Sequence, residues 1–110
     1  IKHGHWTSYY EKGSFIDSDG NYSKGKQHGT WTYYYETGGI MKTQGFKNGH
    51  LSGKSVSYYS NNKIQSESNY KVISEKRKGK KQSVANGDWI FYDKTGKEIS
   101  RITYKNGVKK

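Results

Sequence analysis

A six-residue signature returns four times along this chain, and it restricts the protein to a repeat architecture. It reads Gly4-His-Trp-Thr-Ser-Tyr9, Gly29-Thr-Trp-Thr-Tyr-Tyr34, Gly53-Lys-Ser-Val-Ser-Tyr58 and Gly87-Asp-Trp-Ile-Phe-Tyr92. Glycine opens each copy. Tyr holds the sixth position in all four (Tyr9, Tyr34, Tyr58, Tyr92). Trp holds the third position in three (Trp6, Trp31, Trp89), and Ser55 replaces it in the remaining copy. The glycines are spaced by 25, 24 and then 34 residues, so the third unit carries an insertion of about ten. A unit this short cannot bury its own apolar face. Stacked neighbours must bury it together.

Each signature runs into a turn signal: Glu11-Lys-Gly13, Glu36-Thr-Gly-Gly39, Ser60-Asn-Asn62 and Lys94-Thr-Gly96. Gly and Asn tolerate the positive φ of tight hairpins. Second runs follow over 15–22, 40–46, 64–70 and 99–104, each ending on an aromatic ring, with closing turns such as Lys47-Asn-Gly49 and Lys105-Asn-Gly107. Short segments rich in Tyr, Thr, Ile and Trp between regularly spaced Gly and Asn read as strands. No segment sustains a helical apolar period, and the absence of Pro leaves every backbone donor available for pairing. The expected fold is all-β, an elongated single-layer array of antiparallel β-hairpins with the terminal hairpins as caps. The repeats span about 4–28, 29–52, 53–86 and 87–110, with a basic insertion at 72–85. The third and sixth signature positions lie three apart, so on a regular strand they face opposite ways. Either both faces are packed or a bulge re-aims one ring.

The composition fits a thin core. Only 29% of residues are hydrophobic, and eleven Tyr, three Trp and three Phe supply much of that share. Leu51 and Met41 are the only residues of their types. Large rings that stack on one another can replace an aliphatic interior. The net charge of +11 favours anionic partners. With no Cys, disulfides and thiolate metal sites are excluded. No apolar run approaches the roughly 20 residues needed to span a bilayer as a helix. The chain begins at Ile1 without Met, which suggests a trimmed or mature form. The compartment stays open: cytoplasmic, or envelope-associated or secreted if a signal segment has been removed.

The pattern Gly-x-Trp-x-x-Tyr-Tyr, a turn, a second strand and then Tyr/Phe-Lys-Asn-Gly resembles the MORN repeat, most closely the bacterial variant of YwqK-type antitoxin-like proteins. Gly29, Trp31, Tyr34, Gly38, Phe46, Asn48 and Gly49 carry it in one copy. Gly87, Trp89, Tyr92, Gly96, Tyr104, Asn106 and Gly107 carry it in another. The third copy, with Gly53 and Tyr58, departs at Ser55 and Asn62. The resemblance implies membrane or lipid attachment, protein scaffolding or toxin neutralisation. It carries over no catalytic residue.

Motifs that could host chemistry are sparse. His3 and His5 flank Gly4 with no third ligand nearby, which suits a solvated terminus. Asp17-Ser-Asp-Gly-Asn21 has the start of a calcium loop, but His28 stands where the twelfth-position Glu belongs, so a simple turn is expected. Glu11 and Glu36 recur at turns, a structural placement. Gly53-Lys-Ser55 matches only the end of a phosphate-cradling motif. No enzyme activity, metal or cofactor is expected. The insertion stands out: Lys76, Arg77, Lys78, Lys80 and Lys81 surround Gly79 at the tip of an elongated hairpin. Insertions in repeat proteins tend to emerge on the binding face. Two partner readings follow. One is another protein, met by the repeat surface with Tyr and Trp as anchors. The other is an anionic surface, acidic lipid or nucleic acid, held by the basic cluster. Stacking of single-stranded bases is the weaker form, because the rings recur at packing positions. Open hairpin edges also allow self-association.

Overall fold

The computed structural model describes residues 4–9, 16–74 and 80–110. Every element in it is a β-strand: β1 Gly4–Tyr9, β2 Ile16–Ser23, β3 Lys26–Tyr34, β4 Ile40–Lys47, β5 His50–Leu51, β6 Gly53–Tyr58, β7 Ile64–Ser74, β8 Lys81–Ala85, β9 Gly87–Tyr92, β10 Glu98–Lys105 and β11 Val108–Lys109. They form one antiparallel sheet in the order β1-β2-β3-β4-β6-β7-β9-β10-β11, with β5 on β4 and β8 on β7. The sheet measures 47 × 42 × 16 Å, with a radius of gyration of 15.7 Å. A compact chain of this length would give about 13 Å. The expected single-layer hairpin array is therefore what forms.

The signature glycine is a hinge within a strand pair. Gly4, Gly29, Gly53 and Gly87 all have positive φ, from 78° to 112°. Only glycine adopts this at little cost. Before the hinge, β5 pairs with the end of β4 (Phe46↔Leu51); after it, β6 pairs with the start of β4 (Thr43↔Val56). The insertion lengthens the same device: β8 pairs with the end of β7 over Tyr70↔Ala85 to Ser74↔Lys81, and β9 pairs near its start at Glu67↔Ile90. The tip of this expected hairpin, residues 75–79, lies outside the described residues.

Each sixth-position Tyr sits at a bulge. The register slips beside Tyr9, Tyr34, Tyr58 and Tyr92, leaving Asp17, Met41, Gln65 and Ile99 as the extra residues opposite. The extra residue lies on the partner strand each time, so the signature strand keeps its alternation and the Trp and Tyr face opposite sides. Trp31 lies over Gly20, where an added Cβ would fall inside the indole. Tyr34 on the other face directs its hydroxyl toward Asp19 at 3.5 Å, and burial pushes its pKa up, helped by that carboxylate. Residues 17–20, expected as a turn, are instead part of β2. Asp17 fills the bulge, and Gly20 provides the space the Trp needs.

The core is very thin. Among the described residues only Gly20, Trp31, at 5% exposure, Ser55 and Ile90 are buried. Ring contacts form two trios. Tyr22 lies edge-on between Trp6 and Trp31, at 5.8 and 5.1 Å between centroids. Trp89 lies between Tyr70 and Tyr104, at 5.3 and 5.4 Å. Trp31 and Trp89 each donate Nε1–H to a carbonyl of the preceding repeat, Asn21 at 3.0 Å and Asn69 at 3.1 Å. Between the trios Ser55 takes the Trp position, and its buried Oγ has no hydrogen-bond partner. Extending the strand registers by one residue places Gly20 opposite Trp31, Ser68 opposite Trp89 and Gln44 opposite Ser55. A small residue faces each large one.

Seventh-position tyrosines tie repeats together on the same edge. Tyr35 Oη donates to the Tyr58 carbonyl and Tyr59 Oη to the Tyr92 carbonyl, both at 2.7 Å. In the last repeat Asp93 occupies this position and turns inward on its own hairpin, accepting from the Thr95 hydroxyl and from the Thr95 and Lys97 N–H groups. These bonds hold its carboxyl below the ordinary carboxylate range, the Thr95 hydroxyl most of all. The turn therefore has its full support at neutral pH and loses it as acid protonates Asp93.

Two outcomes are expected in chemical denaturation. Tyr59→Phe removes one inter-repeat hydrogen bond and should cost about 1 kcal/mol. Ser55→Ala removes a buried, unpartnered hydroxyl and should stabilise by about 1 kcal/mol.

Candidate functional site

In an antiparallel meander the turns alternate between two rims. One rim carries the turns at 35–39, 59–63 and 93–97. The other carries the turns at 24–25, 48–49 and 106–107, together with the start of β8. Charge differs between them: the first mixes Glu36 and Asp93 with Lys63, Lys94 and Lys97. The second rim holds Lys24, Lys26, Lys47, Lys80, Lys81, Lys105, Lys109 and Lys110, all exposed. Every described Asp and Glu side chain lies elsewhere, within a strand or on the first rim. Lys26, Lys47 and Lys81 make no ion pair among the described residues. The ion pairs present join Lys54 to Glu67 at 3.5 Å and Arg101 to Asp88 and Glu98 at 3.0 and 2.8 Å. Their side chains are substantially exposed apart from Glu67, so they contribute little to stability.

On the basic rim a groove of about 480 Å³ is lined by Ser23, Lys24, Lys26, Asn48, His50 and Lys81. A smaller hollow of about 130 Å³ is lined by Lys47, Asn48, Val72 and Lys81 and shares two of these residues. Three repeats build the groove. The β2–β3 turn brings Lys24 and Lys26, and the β4–β5 turn brings Asn48 and His50. The inserted strand β8 brings Lys81. Backbone bonds fix these parts: Gly49 N–H donates to the Gln27 carbonyl at 2.9 Å, locking the β4–β5 turn against β3. Ser83 Oγ donates to the Leu51 carbonyl at 2.8 Å, drawing β8 toward β5.

Lys24 stands out within the groove. The two-residue turns of this rim place both central residues at positive φ: Asn48 at 50° with Gly49 at 84°, and Asn106 at 53° with Gly107 at 87°. Lys24 is at 52° beside Gly25 at 82°. Asn suits this left-handed region, whereas Lys bears the steric penalty of its Cβ.

Of the residues expected to hold an anionic partner, Lys80 and Lys81 are exposed beside the tip of the long hairpin, and Lys81 reaches the groove. Lys76, Arg77 and Lys78 lie outside the described residues. Lys24, Lys26, Lys47 and His50 were not singled out from sequence. Their signal was the recurrence of Lys beside Gly turns, in Ser23-Lys-Gly-Lys26 and Lys47-Asn-Gly-His50. His5 is exposed on β1, while His3 lies outside the described residues. No group of three or more metal-ligating side chains occurs among the described residues. No described helix is long and apolar enough to cross a membrane.

A family model for the MORN repeat variant matches the chain three times, over residues 27–48, 51–71 and 85–106. No curated protein and no solved structure shows a significant match. The three matches fall on the hairpins β3–β4, β6–β7 and β9–β10.

Replacing Lys24 with the Asn that its sister turns use should relax the backbone. Lys24→Asn is expected to leave the fold intact and stabilise it by up to about 1 kcal/mol, read from the denaturation midpoint.

Proposed function

The chain belongs to the MORN repeat variant family, and we propose that it is a non-enzymatic binding and scaffolding module that meets an acidic protein surface with its lysine-lined rim. Repeats of this family mediate protein or membrane binding. One observation carries the more specific reading: the second rim gathers eight lysines and holds none of the described carboxylate side chains, whereas the first rim mixes both signs. A charge pattern made only for solubility would intersperse the signs. A single-sign edge steers an oppositely charged partner and fixes its orientation. Neutralisation of an acidic toxin, in the manner of an antitoxin or immunity protein, is the form of contact this surface suits best.

A second reading has its own support. The basic insertion ends on the same rim as the repeat turns, so Lys80 and Lys81 stand in line with Lys24, Lys26 and Lys47. Such an edge also suits the acidic head groups of a membrane, at about 1 kcal/mol per basic residue close to the surface. That would make the module an envelope-associated scaffold. Nucleic acid ranks below both, because Trp31 and the trio around Trp89 are committed to packing rather than displayed for stacking.

The test replaces Lys76, Arg77, Lys78, Lys80 and Lys81 with Ser. Binding of the parent to polyglutamate, anionic liposomes and an oligonucleotide is measured from low to moderate salt. Polyglutamate binding should be the strongest of the three, should weaken as salt rises, and should be largely lost in the variant. Equal binding by variant and parent to all three probes would remove the basic rim from the function. Preference for liposomes would select the membrane reading.

A further inference from the structure

We propose that the groove between the β2–β3 turn, the β4–β5 turn and β8 is a discrete site for a compact ligand carrying two or more phosphate groups. This goes beyond the rim as a steering surface, because it assigns a bound small anion to named residues.

Three features support the assignment. First, the lining is chemically selective: Lys24, Lys26, His50 and Lys81 converge with the polar side chains of Ser23 and Asn48 on about 480 Å³. That volume falls within the roughly 300–1,000 Å³ typical of small-molecule sites. Beyond the His50 imidazole the lining offers no aromatic ring for a nucleobase, and it offers no apolar wall for an acyl chain, so phosphate groups are what its three lysines suit best. Ammonium groups act as compact point charges that suit phosphate without demanding the planar geometry an Arg would impose.

Second, the charges are positioned before any ligand arrives. The hydrogen bonds Gly49 N–H to Gln27 and Ser83 Oγ to Leu51 hold three separate repeats in place around the groove. The Lys26 stem also runs along Gly49, within 3.7 to 3.9 Å of where a side chain would begin. The neighbouring hollow with Lys47 shares Asn48 and Lys81, so a chain of phosphates has room to continue.

Third, the groove carries local costs that the fold does not require. Like charges are brought together, and Lys24 adopts a backbone conformation that its sister turns give to Asn. Locally unfavourable choices concentrated at one site are characteristic of function.

The probe is inorganic tripolyphosphate, titrated calorimetrically into the full chain. A parallel arm uses phosphatidylcholine vesicles with and without phosphatidate. The parent should bind tripolyphosphate with a stoichiometry of one. Lys24→Asn and Lys81→Gln should each weaken binding about fivefold, the factor for one unit-charge contact at roughly 4 Å in water. Lys63→Gln and Lys97→Gln on the opposite rim should leave it unchanged. Because Lys24→Asn installs the repeat's own turn residue, misfolding does not explain its loss of affinity. Binding confined to phosphatidate vesicles, whose head group carries a single phosphate, would overturn the assignment of a compact ligand with two or more phosphate groups. Failure of both probes to bind would overturn the proposal, as would equal weakening by all four variants. Serine substitution at 76–78 alone should spare tripolyphosphate binding while weakening polyglutamate, which separates this site from the rim's contact with proteins.

Discussion

A single-layer sheet has nothing packed against its faces, and this constraint governs the whole structure. Side chains can leave water only by lying against neighbours on the same face, strand to strand. Large rings meet that demand where aliphatic chains would not, because one indole covers its own strand and the next. The sheet therefore depends on Trp31 spread over Gly20, on Tyr22 bridging two tryptophans edge to face and on Trp89 set between two tyrosines. It gains nothing from a second layer, and its stability rests on contacts between repeats. A repeat removed from the array would lose most of what holds it together.

Much of this was legible in the sequence because the repeat positions have local causes. The signature glycines mark hinges with positive φ, and the Gly and Asn clusters mark turns. The Tyr, Thr and Ile runs between them are strands. The bulge at the sixth position was only half legible: the three-residue spacing posed the problem, and the register beside Tyr34 resolved it. The stretch 17–20 misled because Asp and Gly usually signal a turn. Here Gly20 serves a ring eleven residues further along the chain, and that requirement is set by a neighbouring strand.

The groove was the least legible feature, for a related reason. Its Lys24, Lys26, His50 and Lys81 are distant in sequence and joined by the stacking of three repeats. The basic insertion drew attention as a dense run, yet Lys81 gains its place only because Ser83 draws β8 toward β5. A linear reading counts charges. Which of them share a surface depends on register, and register depends on the hinges.

The last repeat differs from its predecessors in a way that gives the array a direction. Tyr35 and Tyr59 each reach forward to the following unit, but Asp93 folds back on its own turn. Where earlier copies offer Gly20 or Ser68 to an incoming indole, the corresponding residue on β10 is Ile102, whose branched side chain fills that space. Duplicating an internal unit would therefore lengthen this protein with its couplings intact. A unit stacked on β11 would meet no tyrosine hydroxyl reaching toward it from the turn at Asp93, so the coupling that joins the earlier repeats has no counterpart there.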